Sequence, residues 1–227
     1  MDVAIRGDLA HCLTLRLAPQ TWLFAVARGF GQVDGLPIAR IALLRLEAEC
    51  RRRARGERRR KRLQRSHAAA GALCGALGRV NGALYLRSAG HEDYVPAACS
   101  LSAALVVRNR AYVAHAGSTA VYHVHGAHVK ALTGQEIFDD ASMPVLSRAL
   151  GVVPVLPFAV TSVALEGGDL LALCGHAISQ TGDSVSFVHA LEDGSEEQVL
   201  RVRYEPSDDV QPVQKRGFWS RILARLR

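Results

Sequence analysis

The sequence predicts an α+β fold in which helices cover antiparallel sheets, and three observations carry that expectation. Short strand-like apolar runs open the chain, a pair of long helical patterns follows, and from Cys99 onward the hydrophobic period returns to two, broken every few residues by glycine or asparagine. With 227 residues, 49% of them hydrophobic and 22% charged, the chain has ample core for one large domain or two small ones.

Residues 10–17 alternate as a strand. Residues 22–27 form a continuous apolar run that ends in a glycine-rich break from Arg28-Gly29-Phe30-Gly31 to Gly35. A strand ending in such a break often delivers functional side chains. Pro37 suits a first helical turn, and Ile38, Ile41, Ala42, Leu44, Leu46 and Ala48 give a helix that runs into an arginine cluster near Cys50. A second helix spans about 63–86, with Leu73, Leu77, Val80 and Leu84 at helical spacing, so the two form a hairpin with a basic tip. Residues 99–107, 111–116, 119–125 and 128–132 read as a meander of short antiparallel strands, separated by Asn109, Gly117-Ser118 and Gly126. Two more strands, 158–165 and 170–174, flank the turn Glu166-Gly167-Gly168-Asp169, and 199–204 alternates as a last one. Between these, 183–191 reads as a short helix, with a strand as the alternative.

Charge is unevenly placed. The formal charge is +7, yet residues 51–65 alone hold ten Lys/Arg and one Glu, and 215–227 hold five basic residues and no acid. What remains has 13 basic and 20 acidic residues, a charge of −7. The body is acidic and two short segments make the chain basic, which argues against a general nucleic-acid coat and for two localised contact patches. The first comprises Arg51, Arg52, Arg53, Arg55, Arg58, Arg59, Arg60, Lys61, Arg62 and Arg65, and so dense a run is expected to meet an anionic partner. It contains no aromatic residue, which disfavours sequence-specific nucleic-acid binding.

Residues 206–217 read as a polar, proline-bearing linker after a domain spanning 1–205. In 218–227 the apolar Phe218, Trp219, Ile222, Leu223 and Leu226 fall on one helical face and the arginines on the other. Two readings stand: a helix folded back on its own domain, or a basic amphipathic segment lying on an anionic membrane or in a partner groove. No apolar run approaches the ~20 residues of a membrane span, and the N-terminus lacks a signal pattern. Cys12, Cys50, Cys74, Cys99 and Cys174 show no C-x-x-C spacing. These observations predict reduced core cysteines and a cytoplasmic protein, peripheral at the membrane if the tail binds there. His123 and His125 share a strand face and His128 follows the next turn; metal-ligand spacing is met, but an exposed hairpin tip explains them more simply.

Five blocks in order resemble the metal-dependent serine/threonine phosphatases of the PPM type, also called type 2C, over nearly the whole of residues 1–205. Phe24-Ala25-Val26-Ala27-Arg28-Gly29-Phe30-Gly31 is similar to the strand-end motif Phe-Ala-Val-Ala-Asp-Gly-x-Gly. The block from Asn109-Arg110-Ala111-Tyr112 through Ala116-Gly117-Ser118-Thr119-Ala120-Val121-Tyr122 is similar to the family's central strand pair, in which Gly-Asp-Ser stands where this chain has Gly117-Ser118-Thr119. Leu132-Thr133, Leu146-Ser147-Arg148-Ala149-Leu150-Gly151 and 165–174 complete the series. The resemblance implies an α/β/β/α sandwich, two antiparallel sheets flanked by helices, shortened near the C-terminal helices because only 22 residues separate Cys174 from Glu197.

In that family a cluster of aspartates holds two divalent cations that activate a water for attack on phosphate. The resemblance places Arg28 at the metal-bridging aspartate, His11 at an early aspartate if Arg6 is the phosphate-binding arginine, His176 at a third, and Glu197 at the last. Gly29, whose counterpart offers a carbonyl ligand, is kept. Three readings of this degenerate set compete. In one, the site is dead and Arg28 pairs with Glu197 or another acid. In another, His11, His176 and Glu197 form a zinc or iron site, which the Arg28 charge opposes. In the third, the pocket reads an anion or phosphopeptide without metal, using Arg28 and Arg6 as donors. The expected function is a pseudophosphatase: a non-catalytic module of protein phosphorylation signalling with no Mg²⁺ or Mn²⁺ bound. Its expected partner is a protein, a kinase-signalling component or phosphoprotein. The alternatives are a divergent metal-dependent phosphatase and a basic adaptor tethered to a membrane or polyanion.

Overall fold

In a computed structural model, residues 5–6, 10–30, 32–33, 36–58, 66–89, 98–134, 137–140, 143–146, 148–176, 199–205 and 211–212 are described. The chain starts with β1 (Ile5–Arg6), β2 (Ala10–Ala18) and β3 (Thr21–Phe30), then β4 (Gln32–Val33) and β5 (Leu36–Pro37), a two-residue ladder. Pro37 closes β5, and α1 (Ile38–Arg58) begins one residue later, followed by α2 (Ser66–Ala89). Next come β6 (Ala98–Val107), β7 (Arg110–Ala116), β8 (Ala120–His125) and β9 (His128–Ala131). A separate hairpin, β10 (Ile137–Asp140) and β11 (Met143–Leu146), precedes β12 (Thr161–Ala164), β13 (Leu170–Cys174), β14 (Val199–Arg203) and β15 (Gln211–Pro212).

Two antiparallel sheets result. One is ordered β1-β2-β3-β6-β7-β12 and the other β15-β14-β13-β8-β9. The expected single meander is therefore corrected: β6 and β7 belong to the first sheet, β8 and β9 to the second, and the chain crosses between sheets at Gly117-Ser118-Thr119. The physical cause is local. Gly117 has φ +93°, which ends the β7 ladder, and the Ser118 N–H donates to Ser100 Oγ at 3.1 Å. The strands flanking Glu166-Gly167-Gly168-Asp169 separate in the same way, β12 joining β7 and β13 joining β8.

The arginine cluster is also relocated. Helix α1 continues through Arg58, so the first eight residues of the basic run are helical and not part of a hairpin tip; 59–65 lie outside the described residues. The expected helix over 183–191 and the tail 218–227 lie outside them too. Within the stretch read as a linker, Gln211–Pro212 pairs with Val202 and Arg203 of β14.

Three apolar layers follow from strand alternation. On β2 and β3, Leu13, Leu15, Leu17, Leu23, Ala25 and Ala27 face the helices, where Leu43, Leu46, Leu73 and Leu77 meet them. Full burial of each such leucine stabilises the fold by about 1.5–3 kcal/mol. The opposite side of the first sheet, with Phe24, Val26, Ala104 and Val113, packs on Val121, Leu171, Leu173 and Val202 of the second. The outer face of the second sheet, Ala120, Tyr122, Val124, Leu170, Ala172 and Cys174, is buried as well. Asn81 of α2, fully buried, donates to the Val153 and Pro154 carbonyls at 2.9 and 3.3 Å and accepts from the Gly151 N–H at 2.9 Å, fixing that loop to the helix. No helix among the described residues is long and apolar enough to cross a membrane. All five cysteines stand outside any disulfide; burial raises Cys50 to about 12.

Candidate functional site

Alternation along β3 decides where Arg28 goes. Leu23, Ala25 and Ala27 face the helices, Phe24 and Val26 face the second sheet, and Arg28 continues the second set. Arg28 thus lies on the inter-sheet side of β3, opposite Ala10 of β2 and Ser100 of β6. Gly29, next to it, pairs with Cys99 and lies against the start of α1. A Cβ there would meet Ile38 Cγ2 and come within 2.6 Å of the Ala39 nitrogen, so the glycine is required by the close approach of helix to strand.

Around Arg28 the first sheet presents hydroxyls. Ser100 and Ser102, each fully buried, alternate with Leu101 and Ala103 and so share the face of Arg28. His115 of β7 stands directly opposite Ser102, again on this face. The sheet-crossing turn caps the group: Ser100 Oγ and Ser118 Oγ lie 3.2 Å apart, and Ser102 Oγ and Thr119 Oγ1 are hydrogen-bonded at 2.8 Å. Because Thr119 leads into β8, the Ser102–Thr119 bond ties the two sheets together. β13 ends at the same place, since Cys174 pairs with Ala120, and His176 follows two residues on, half-buried.

Of the positions singled out from sequence, Arg28, Gly29 and His176 are therefore placed at one end of the sandwich, and His11 is not among them. His11 has the parity of Leu13, Leu15 and Leu17 and is buried in the helix-facing layer, on the other side of the sheet from Arg28. Among the described residues its Nδ1 has no hydrogen-bond partner, and burial, with the Arg40 charge second, lowers its pKa from the ordinary histidine value. Arg6 enters only through its backbone pairing with Ala10, and Glu197 lies outside the described residues. Ser100, Ser102, His115, Ser118 and Thr119 were missed by motif reading, although the alternation of Ser100 and Ser102 with Leu101 and Ala103 was visible.

At the far end of the same strands lies a second polar cluster. Asp169, 3% exposed in its turn, accepts hydrogen bonds from His123 Nε2 and His125 Nδ1, each 2.7 Å, and from the Glu166 N–H at 2.9 Å. Burial pushes the Asp169 pKa up, but the bonds from Glu166, His123 and His125 outweigh it and hold the carboxyl below its ordinary value. His125 moves the opposite way: its hydrogen bond to Asp169, then the charges of Asp169 and Glu166, raise its pKa. His123 is thus an anchored side chain rather than part of an exposed tip; His125 and His128 are exposed as expected. Among the described residues no group of three or more histidine, cysteine, aspartate or glutamate side chains is placed to hold a metal ion.

No protein-family model and no curated protein matches the sequence. The fold, in contrast, matches solved bacterial serine/threonine phosphatases of the PPM type. The Streptococcus agalactiae enzyme superposes with a TM-score of 0.60 at 15% identity, over 76% of this chain and 75% of that one. PppA of Pseudomonas aeruginosa, described as a key regulatory component of T6SS, gives 0.56 at 20% identity, over 80% and 76%. The Mycobacterium tuberculosis phosphatase PstP gives 0.54 at 16%, over 84% and 93%. Two antiparallel sheets with a helix pair on the first are thus the PPM phosphatase architecture.

Proposed function

We propose that this chain is a non-catalytic PPM-type phosphatase-like domain, a pseudophosphatase that works as a binding and regulatory module in protein phosphorylation signalling. The observation that carries the reading is the chemistry of the inter-sheet end. Hard divalent cations take oxygen ligands, chiefly carboxylates. Among the described residues this end presents the Arg28 guanidinium, the hydroxyls of Ser100, Ser102, Ser118 and Thr119, and the His115 ring. Such a donor set does not suit a pair of Mg²⁺ or Mn²⁺ ions, and a fixed cation in their place repels them.

The same groups suit an anion. A guanidinium flanked by hydroxyl donors is a phosphate-binding combination, and Arg28, with Arg6, is assigned that role toward a phosphorylated protein partner. The likeness to PppA, described as a key regulatory component, supports a regulatory role. Five cysteines outside any disulfide favour a cytoplasmic setting, and the basic run 51–65 and the amphipathic segment 218–227 serve as further contacts.

The deciding experiment is turnover of a phosphoserine peptide and an aryl phosphate in Mn²⁺ and Mg²⁺, with elemental analysis of the purified protein. The expected result is no metal-dependent hydrolysis and no stoichiometric zinc, iron or manganese. Turnover that disappears on Arg28→Ala or His176→Ala would instead establish a divergent phosphatase.

A further inference from the structure

We propose that the exposed side of α1 is a docking surface for an anionic lipid membrane; this rests on the reading of the chain as a binding module and names the partner of its basic helix. The helix buries Ile38, Ile41, Ala42, Leu43, Leu46, Cys50 and Ala54. Its other side carries Arg40, Leu44, Arg51 and Arg55 at three- and four-residue multiples, flanked by Arg45 and Arg52, all exposed. From Arg40 to Arg55 this row is about 22 Å long. Two acids of the helix are taken up by arginines, which leaves Arg40, Arg45 and Arg55 outside those pairs. Glu47 is buried and receives Arg51 Nε at 2.8 Å, while Glu49 is held by Arg52 at 2.8 Å and by Arg79 of α2 at 2.5 Å.

A row of exposed arginines fits a flat surface of mobile phosphate headgroups, where Arg40, Arg45 and Arg55, outside the Glu47 and Glu49 pairs, each find their own partner. Leu44, 38% exposed in the middle of the row, adds an apolar contact. No aromatic residue lies in the basic run, so nucleic-acid bases have no stacking platform. The segment 218–227 combines Phe218 and Trp219 with arginines, a composition that suits a lipid interface and that neither nucleic acid nor an acidic protein face requires. Two weak signals on one chain give stable peripheral anchoring where one does not.

The test is cosedimentation of the full chain with vesicles of phosphatidylcholine, with and without phosphatidylglycerol, alongside duplex DNA. Binding is expected only to the phosphatidylglycerol vesicles, weakening with salt. The triple variant R40E/R45E/R55E, which leaves the Glu47 and Glu49 pairs intact, is expected to lose roughly 100-fold in affinity. R40Q/R45Q/R55Q keeps the test open should charge reversal impair folding, and is expected to lose roughly 30-fold or more. Unchanged vesicle binding in both variants, binding to DNA alone, or dependence on 218–227 alone overturns the proposal. None of these outcomes bears on turnover, so this proposal and the pseudophosphatase reading fail separately.

Discussion

The two ends of the sandwich are built from the same strands and carry opposite chemistry. At one, where β3 delivers Arg28, the polar groups are a cation, an imidazole and buried hydroxyls. At the other, a buried carboxylate is gripped by two histidines and a backbone N–H. Asp169 sits in the turn that starts β13 and Ser118 in the turn that starts β8, so both clusters stand where the chain passes from the first sheet to the second. The difference separates two jobs that polar groups do in this fold. Polar groups that hold a sheet crossing are present at both ends, whereas acids that would hold metal are not described at the Arg28 end.

If the Arg28 end is primarily a tightly packed crossing, its glycines are its most sensitive positions. A Cβ at Gly117 would meet Ser100 Oγ and lie 2.7 Å from Ser100 Cβ, on a backbone with φ +93°. Gly117→Ala is expected to cost about 3 kcal/mol, from strain and overpacking together, read as a lower urea midpoint. Gly29→Ala meets the Ala39 nitrogen of the α1 backbone at 2.6 Å, which cannot rotate away, and a loss of similar size is expected. A loss below about 0.5 kcal/mol at either site would show that the end is loosely packed and undo the comparison.

The next effect belongs to the opposite end. Asp169→Asn is expected to cost about 2–3 kcal/mol, because the amide cannot accept from three donors as the carboxylate does. The pH dependence distinguishes this end from the other. The Asp169 pKa is lowered by folding, so its contribution is present above about 3.8 and lost as pH falls through its folded value. The His125 pKa is raised, so its contribution is full below 6.5 and lost as pH rises through its folded value. Stability from this cluster therefore peaks between those limits and declines on both sides. Thermal melts across pH 3–9 should show the hump in the parent, and a profile without it in Asp169→Asn.

How much of this was legible in the sequence depends on what fixes each feature. The helices and strands were, because periodicity fixes them: Leu73, Leu77, Val80 and Leu84 read directly as a helix face and all are buried. Sheet membership was not, because β7 and β8 have the same period and only the backbone at Gly117 sends them to different sheets. The face of Arg28 followed from its strand, and the same logic would have turned His11 toward the helices, since it alternates in step with Leu13, Leu15 and Leu17. Motif spacing overrode that signal. His123 and His125 were visible as a pair, but their partner lies more than forty residues away and no local pattern joins them.

The smallest effect tests what the hydroxyls at the Arg28 end do. Ser102 Oγ and Thr119 Oγ1, both fully buried, share one bond of 2.8 Å between the sheets. Ser102→Ala removes one partner and strands the other away from water, so a loss of about 1–2 kcal/mol is expected. Thr119→Val keeps the shape and removes the other, with a similar cost. Together the two substitutions leave no unsatisfied group, and an apolar pair of nearly the same volume fills the space. The double variant should then be less destabilised than the sum of the singles by about 1 kcal/mol or more. That result identifies the pair as a strut. If the costs simply add, the hydroxyls bond outward as well as to each other, and the Arg28 end is a hydrated, ligand-facing surface rather than a sealed crossing.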